Sequence, residues 1–167
     1  MPVPPEDFRG ALASWASGVT VVTTARDGLV YGVTVSSFAS LSLDPPLITV
    51  SLANTNYLPS LVEASGHFGV SILAGDEQRI SEYFSSPGRR PQPAFPEGLL
   101  ARSWRTGSPL IEGAAAQVDC ELEQTVPGGD HTIVIGRVVA ARSDPAKPPL
   151  LYFRRGYRSL KEDGDGG

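Results

Sequence analysis

The stretch from Gly32 to Leu52, GVTVSSFASLSLDPPLITVSL, limits what this chain can fold into more than any other. It sets two apolar runs on either side of Asp44, Pro45 and Pro46. Neither proline can donate a hydrogen bond to a strand ladder, and each restricts the residue before it, so the chain must break sharply there. Val33 and Val35 alternate with Thr34 and Ser36, the period of a half-buried pleated strand, and Leu47 to Leu52 reads as its partner. The density of small hydroxyls lets such a segment bury its backbone and still offer hydrogen-bond donors at a strand end.

Other segments repeat the β signal. Phe8, Ala11, Leu12 and Trp15 share one helical face, which predicts a first helix from about Pro5 to Ala16 that stops at Gly18. Val19 to Thr24 and Leu29 to Phe38 flank Arg26, Asp27 and Gly28 as a hairpin. Asn54, Thr55 or Asn56 would cap a helix with Pro59 in its first turn and Leu58, Leu61 and Val62 facing the core. His67 to Leu73 reads as a strand, and Asp76 to Phe84 as a short helix capped by Asp76, with Ile80, Tyr83 and Phe84 inward. Ser85 to Glu97, SSPGRRPQPAFPE, is an irregular loop of a length usually kept for function or motion.

Leu99 to Trp104 reads as a short strand and Gly107 to Gly113 as a turn region. Ala114 to Thr125 then sets Ala116, Val118, Cys120 and Leu122 against Gln117, Asp119, Glu121 and Glu123, an antiparallel strand with one wet face. Pro127, Gly128 and Gly129 turn it back into His131 to Arg142. Many short strands, few helices and frequent turn residues predict a mainly β, closed or partly closed antiparallel barrel. One domain over 1–162 is expected, followed by a frayed tail, 163–167.

A formal net charge of −4 leaves no basic surface for nucleic acid or an acidic membrane. One cysteine, Cys120, rules out an internal disulfide framework, and with only His67 and His131 besides, no metal centre is expected. The N-terminus, MPVPPEDF, is unlike a signal peptide, and no run approaches the ~20 apolar residues of a membrane span, so the expectation is a soluble, cytoplasmic protein without a membrane.

Four groups of residues are candidates for chemistry. Thr34, Val35, Ser36 and Ser37 either satisfy their strand neighbours or present amides and hydroxyls to a polar ring. Asn54, Thr55 and Ser60 lie at or before a helix start and serve either as caps or as an anion site. Arg89 and Arg90 either add charge there or keep their loop soluble. His131, after a Gly-Gly-Asp turn, should stand at a barrel rim, with Asp130 orienting the turn or the imidazole, whereas His67 sits in an apolar strand and reads as structural. Tyr152, Phe153, Arg154, Arg155 and Tyr157 either flank a nucleotide, with arginine pairing to phosphate, or pack a strand edge.

The order of these motifs, TVSSFASLSLDPPL, then an Asn-Thr stretch, then Gly129, Asp130 and His131 before Thr132 to Gly136, then LLYFRRGYRSL, resembles the flavin reductase-like proteins from Phe8 to Leu160. The loop RRPQPAF departs from the acidic-basic-aromatic step of that family. The resemblance implies an antiparallel split β-barrel of the FMN-binding type, homodimeric, with the flavin site near the dimer interface. It implies an NAD(P)H-dependent reductase that passes a hydride from NADH or NADPH to FMN or FAD for a partner monooxygenase. In that reading Thr34 to Ser37, Ser51, Leu52, Ala53, Asn54, Thr55, Ser60 and Arg89 hold the flavin. His131 serves the nicotinamide, and Tyr152, Arg154, Arg155 and Tyr157 its nucleotide. Hydride transfer suits a chain with no visible nucleophile, base and orienter, because the cofactors carry the electronics. A flavoprotein that keeps its flavin for another acceptor and a flavin-binding barrel without turnover are the alternatives.

Overall fold

Among residues 3–99 and 101–160, which the computed structural model describes, the elements run α1 (Pro5–Leu12), β1 (Ser17–Gly18), β2 (Thr20–Arg26), β3 (Leu29–Val35), β4 (Ala39–Leu43) and β5 (Pro46–Ala53). They continue as α2 (Leu58–Ser65), β6 (His67–Ile72), α3 (Gln78–Ser85), β7 (Ala101–Ser103), β8 (Pro109–Ile111), β9 (Ala116–Gly128), β10 (His131–Ser143), β11 (Leu151–Phe153) and β12 (Gly156–Arg158). The predicted tail, 163–167, lies outside the described residues.

Seven strands form an antiparallel sheet in the order β3-β2-β6-β9-β10-β5-β4. Tyr31 and Val33 of β3 share an apolar cluster with Ile48, Val50 and Leu52 of β5 and with Phe68, Val70, Cys120 and Val134 from the strands between. The sheet therefore curls over its own core, as an open-seamed split barrel requires. Across the seam the Ser37 hydroxyl donates to the Ser51 carbonyl at 2.8 Å and accepts from the Ser51 N–H at 3.1 Å. Helix α2 plugs the barrel with Leu58 and Val62, both fully buried and each worth about 1.5–3 kcal/mol of transfer free energy. The Asn56 side chain accepts from the Leu58 N–H at 2.9 Å, and Gly66 ends the helix at φ 75°.

Several expectations are corrected. The strand expected over Leu29 to Phe38 ends at Val35; Ser36 to Phe38 lie outside it and β4 begins at Ala39, so β5 pairs with β4 and β10 and not with the Val33–Ser36 run, whose strand part lies against β2. Gly107 to Gly113 contains the buried strand β8, whose Leu110 needs Gly69 beneath it: a Cβ at Gly69 would meet Leu110 Cδ2 at 2.7 Å. With β7 and residues 104–108 this strand covers part of the face of β9 expected to be wet. Gln117 and Asp119 are buried there, and only Glu121 and Glu123 reach water. Asp119 accepts from the N–H groups of Arg105 (2.7 Å) and Thr106 (3.0 Å) and from the Thr106 hydroxyl (2.6 Å). Asp76 does not cap α3; the neighbouring Glu77 carboxylate accepts instead from the Ala74 N–H at 2.7 Å. Helix α1 ends at Leu12, and its apolar face is not against the core: Phe8, Leu12 and Trp15 are 54%, 56% and 76% exposed.

Candidate functional site

The C-terminal end of β3 is flanked by open space on both sides. A cleft of about 530 Å³ lies between Tyr31, Val33 and Thr34, the turn Thr55 to Tyr57, and the segment Phe84 to Arg90. A smaller one, about 190 Å³, is lined by Thr34 to Ser36 together with Ser81, Ser85, Tyr152 and Tyr157. A third, about 310 Å³, holds Ser36, Phe38 and Trp15. Thr34 and Ser36 each line two of the three. The Thr34 hydroxyl donates to the Ser81 carbonyl at 2.7 Å, which ties α3 to the strand and leaves the strand end as a fixed wall.

The turn that forms the opposite wall of the large cleft is anchored at the hairpin between β9 and β10. Ala53, the last residue of β5, pairs with His131. The Asn54 N–H donates to the Asp130 carbonyl at 3.0 Å, and the Thr132 hydroxyl donates to Asn54 Oδ1 at 2.7 Å. Gly129 takes φ 72°, which the first residue of such a two-residue loop demands. His131 stands half-exposed at the rim, with Nδ1 2.7 Å from Asp130 Oδ1. The hydrogen bond from His131, and next its charge, hold the Asp130 carboxyl below the usual carboxylate range. With Nδ1 donating to Asp130, Nε2 is the ring nitrogen left for a ligand, an acceptor when the ring is neutral and a donor when it is protonated.

The C-terminal hairpin reaches the same neighbourhood with its strands and not its tip. Tyr152 and Tyr157 are cross-strand partners whose rings meet edge-on at 5.4 Å, and the Tyr157 hydroxyl lies 2.9 Å from Ser81 Oγ. Arg154 and Arg155 form the turn at φ 48° and 59°, a conformation more readily taken by asparagine or glycine, and they line neither of the two clefts beside Thr34.

The remaining candidates scatter. The side chain of Leu52 is fully buried in the core, so this residue has only its backbone to offer, and Ser51 is bound to Ser37. Ser60 is exposed, and its hydroxyl donates back to the Tyr57 carbonyl at 3.0 Å. Arg89 and Arg90 both line the large cleft. His67 lies away from it, with Nδ1 2.6 Å from Ser108 Oγ; burial pushes its pKa down, outweighing the pull of Asp119. Tyr31, Tyr57 and Ser81 carry no signal in the sequence: Tyr31 and Ser81 stand in regular elements with nothing to separate them from packing residues, and Tyr57, in the turn before α2, carries no motif. The Pro- and Gly-rich run after Phe84 was the available signal for the segment 85–90.

The profile of the flavin reductase like domain matches residues 12–161. The chain belongs to the flavin reductase-like family. An NADH-dependent flavin reductase of a Rhodococcus species is 38% identical over 162 residues, 95% of this chain and 88% of that protein. The reductase component of a 4-hydroxyphenylacetate 3-monooxygenase from Thermus thermophilus is 39% identical over 155 residues, 93% of this chain and 96% of that one. The solved structure of the Streptomyces globisporus NADH:FAD oxidoreductase SgcE6 with NAD and FAD fragments superposes with a TM-score of 0.89 at 30% identity, covering 99% of each chain. The resemblance carried by TVSSF, GDH and the C-terminal aromatic run is therefore a true family relationship, and the split barrel is the fold these flavin reductases share with it.

Proposed function

We propose that this flavin reductase-like protein is an NADH-dependent flavin reductase, moving a hydride from the nicotinamide to FMN or FAD and releasing the reduced flavin to a partner monooxygenase. The observation that carries the reading is the strand end Thr34–Ser36, set between two clefts, with the opposite wall of the larger one tied through the Asn54–Asp130 bond to the histidine rim. Nicotinamide and flavin supply the hydride donor and acceptor, so the chain's own task is to bind, orient and exclude water.

The amides and hydroxyls of Thr34 to Ser37, with Ser51, Ala53 and the backbone of Leu52, meet the polar edge of the flavin ring. Asn54, Thr55, Asn56 and the two arginines meet its phosphate end. Ser60, bound back to its own helix, is left out of the site. His131 orients the nicotinamide through Nε2 and helps to balance negative charge on the reduced ring, Asp130 fixing the tautomer. Tyr152 and Tyr157 flank the nucleotide, whereas Arg154 and Arg155, at the hairpin tip and outside both clefts beside Thr34, are left out of the site. NADH is the preferred donor, as the names of the relatives indicate.

The protein works as a homodimer. Leu41 and Leu43 on the edge strand β4 are 51% and 91% exposed, and α1 presents Phe8, Leu12 and Trp15 to solvent; a second copy covers such surfaces. No helix among the described residues is long and apolar enough to cross a membrane.

Anaerobic mixing with NADH and excess FMN or FAD tests the reading. Catalytic bleaching of the flavin is expected. Bleaching of a stoichiometric bound fraction alone would assign the protein a resident flavin, and binding without bleaching would leave a barrel that does not turn over.

A further inference from the structure

Ser81 and Tyr157 are 76 residues apart in sequence, and their hydroxyl oxygens lie 2.9 Å from one another beside the smaller cleft. Ser81 stands inside α3 with no exposed surface, and Tyr157 is half-buried on β12. Two hydroxyls carry two protons, but one bond between them uses only one. Among the described residues the Tyr157 hydroxyl is the single partner of Ser81 Oγ. If the tyrosine donated, the serine proton would be left buried without an acceptor, whereas the proton of a half-buried phenol still meets water or a ligand. The serine is therefore the donor, and the Tyr157 O–H is turned away from α3.

Tyr157 and Ser81 both line that cleft, whose volume of about 190 Å³ suits one ring or sugar and not a whole dinucleotide. Two other hydroxyls of its wall are already committed: Thr34 donates to the Ser81 carbonyl at 2.7 Å, and Ser85 to the Glu82 carbonyl at 3.0 Å. Tyr157 is thus a donor with a fixed direction. Ser81 holds both sides of the space, the end of β3 through its carbonyl and the C-terminal hairpin through its side chain. None of the lining side chains is charged, so an ion entering here would lose water without gaining a partner of opposite charge. The group that meets Tyr157 is an uncharged acceptor.

We propose that Ser81 is a positioning residue, which commits the Tyr157 O–H to the smaller cleft, where the phenol donates to an uncharged oxygen or nitrogen of the nicotinamide nucleotide. Ser81 itself acts only through Tyr157. The proposal rests on the reductase reading given above and names the contact by which the C-terminal hairpin serves it.

Steady-state kinetics at saturating FMN test it, with FMN affinity read separately from fluorescence quenching without NADH. Tyr157→Phe should raise the KM for NADH about fivefold, the worth of one neutral hydrogen bond, the loss falling on KM far more than on kcat and leaving the Kd for FMN within twofold of the parent. Ser81→Ala, a small change that favours the helix, should raise KM about threefold by freeing the phenol, and the double variant should be no worse than Tyr157→Phe alone. Reduced nicotinamide mononucleotide in place of NADH locates the acceptor. A rise shared by both donors sets it on the nicotinamide half, a rise confined to NADH sets it on the adenosine half, and either sustains the proposal. An unchanged KM in Tyr157→Phe would overturn it. So would additive losses in the double variant, or a weakened Kd for FMN in Ser81→Ala, which would leave Ser81 a packing bond between α3 and its neighbours. Failure of the reductase reading would show differently, in the parent protein, as bound flavin that NADH never bleaches.

Discussion

His131 and Ala53 stand opposite one another where β10 meets the end of β5, so the histidine is placed by the same ladder that delivers Thr55 and Asn56 to the cleft. Removing its ring leaves that ladder intact. His131→Ala should raise the KM for NADH about tenfold, with the Kd for FMN within twofold of the parent. Asp130→Asn, which weakens control of the tautomer, should give a smaller effect in the same direction. Steady-state kinetics at saturating flavin read both, and unchanged nicotinamide kinetics in His131→Ala would take the histidine out of the site.

Asp119 anchors the segment 105–106 to the barrel through three hydrogen bonds to one buried carboxylate. Asparagine in its place keeps the shape but turns an amide toward donors that need an acceptor. Asp119→Asn should cost about 2–3 kcal/mol in urea unfolding. A loss under 0.5 kcal/mol would mean that water replaces these bonds at little cost.

These residues also show what the sequence could and could not say. The strand periods of β2, β3, β5, β6, β9 and β10 were legible because each alternates or runs apolar between strong turn signals. The meaning of Gln117 and Asp119 was not, because alternation reports two faces and cannot say that the preceding β7–β8 hairpin will cover the polar one. Phe8 and Trp15 lie on a predicted apolar helix face, yet among the described residues that face stays exposed. The site split the same way. Of the residues lining the clefts, Thr34 was visible as a small hydroxyl at a strand end, whereas Tyr31 and Ser81 enter only when α3 folds back on β3.

His67 gives the fold a pH dependence whose sign follows from burial. Its folded pKa lies below the ordinary value near 6.5, despite the opposing charge of Asp119. Glu121 faces it across β9, and Arg105 lines the same surface cleft. Below about pH 6.5 the unfolded chain takes a proton that the folded state resists. Stability is therefore complete above that pH and falls as the pH drops toward the folded value. In His67→Gln the thermal midpoint should decline less between pH 7 and pH 5 than in the parent. Parallel decline in the two proteins would assign the acid sensitivity to other groups.

Gly136 sits at a bulge of β10 against two fully buried side chains, and a Cβ there would lie 2.7 Å from Phe68 Cε1 and 2.9 Å from Cys120 Cβ. Neither neighbour can yield without moving the core, so Gly136→Ala should cost about 1–3 kcal/mol. The chain carries its own reporter of that loss. Cys120 is the single cysteine, fully buried, and burial pushes its thiol up to about 12. It should react with a thiol reagent only through opening of the barrel. When reclosing is fast relative to labelling, the rate tracks the open population, and each 1.4 kcal/mol lost should speed it about tenfold. Gly136→Ala should thus label about 5 to 140 times faster than the parent, in step with its unfolding free energy. Rapid labelling of the parent itself would mean that Cys120 is reached by a local opening in which Phe68 and Gly136 play no part.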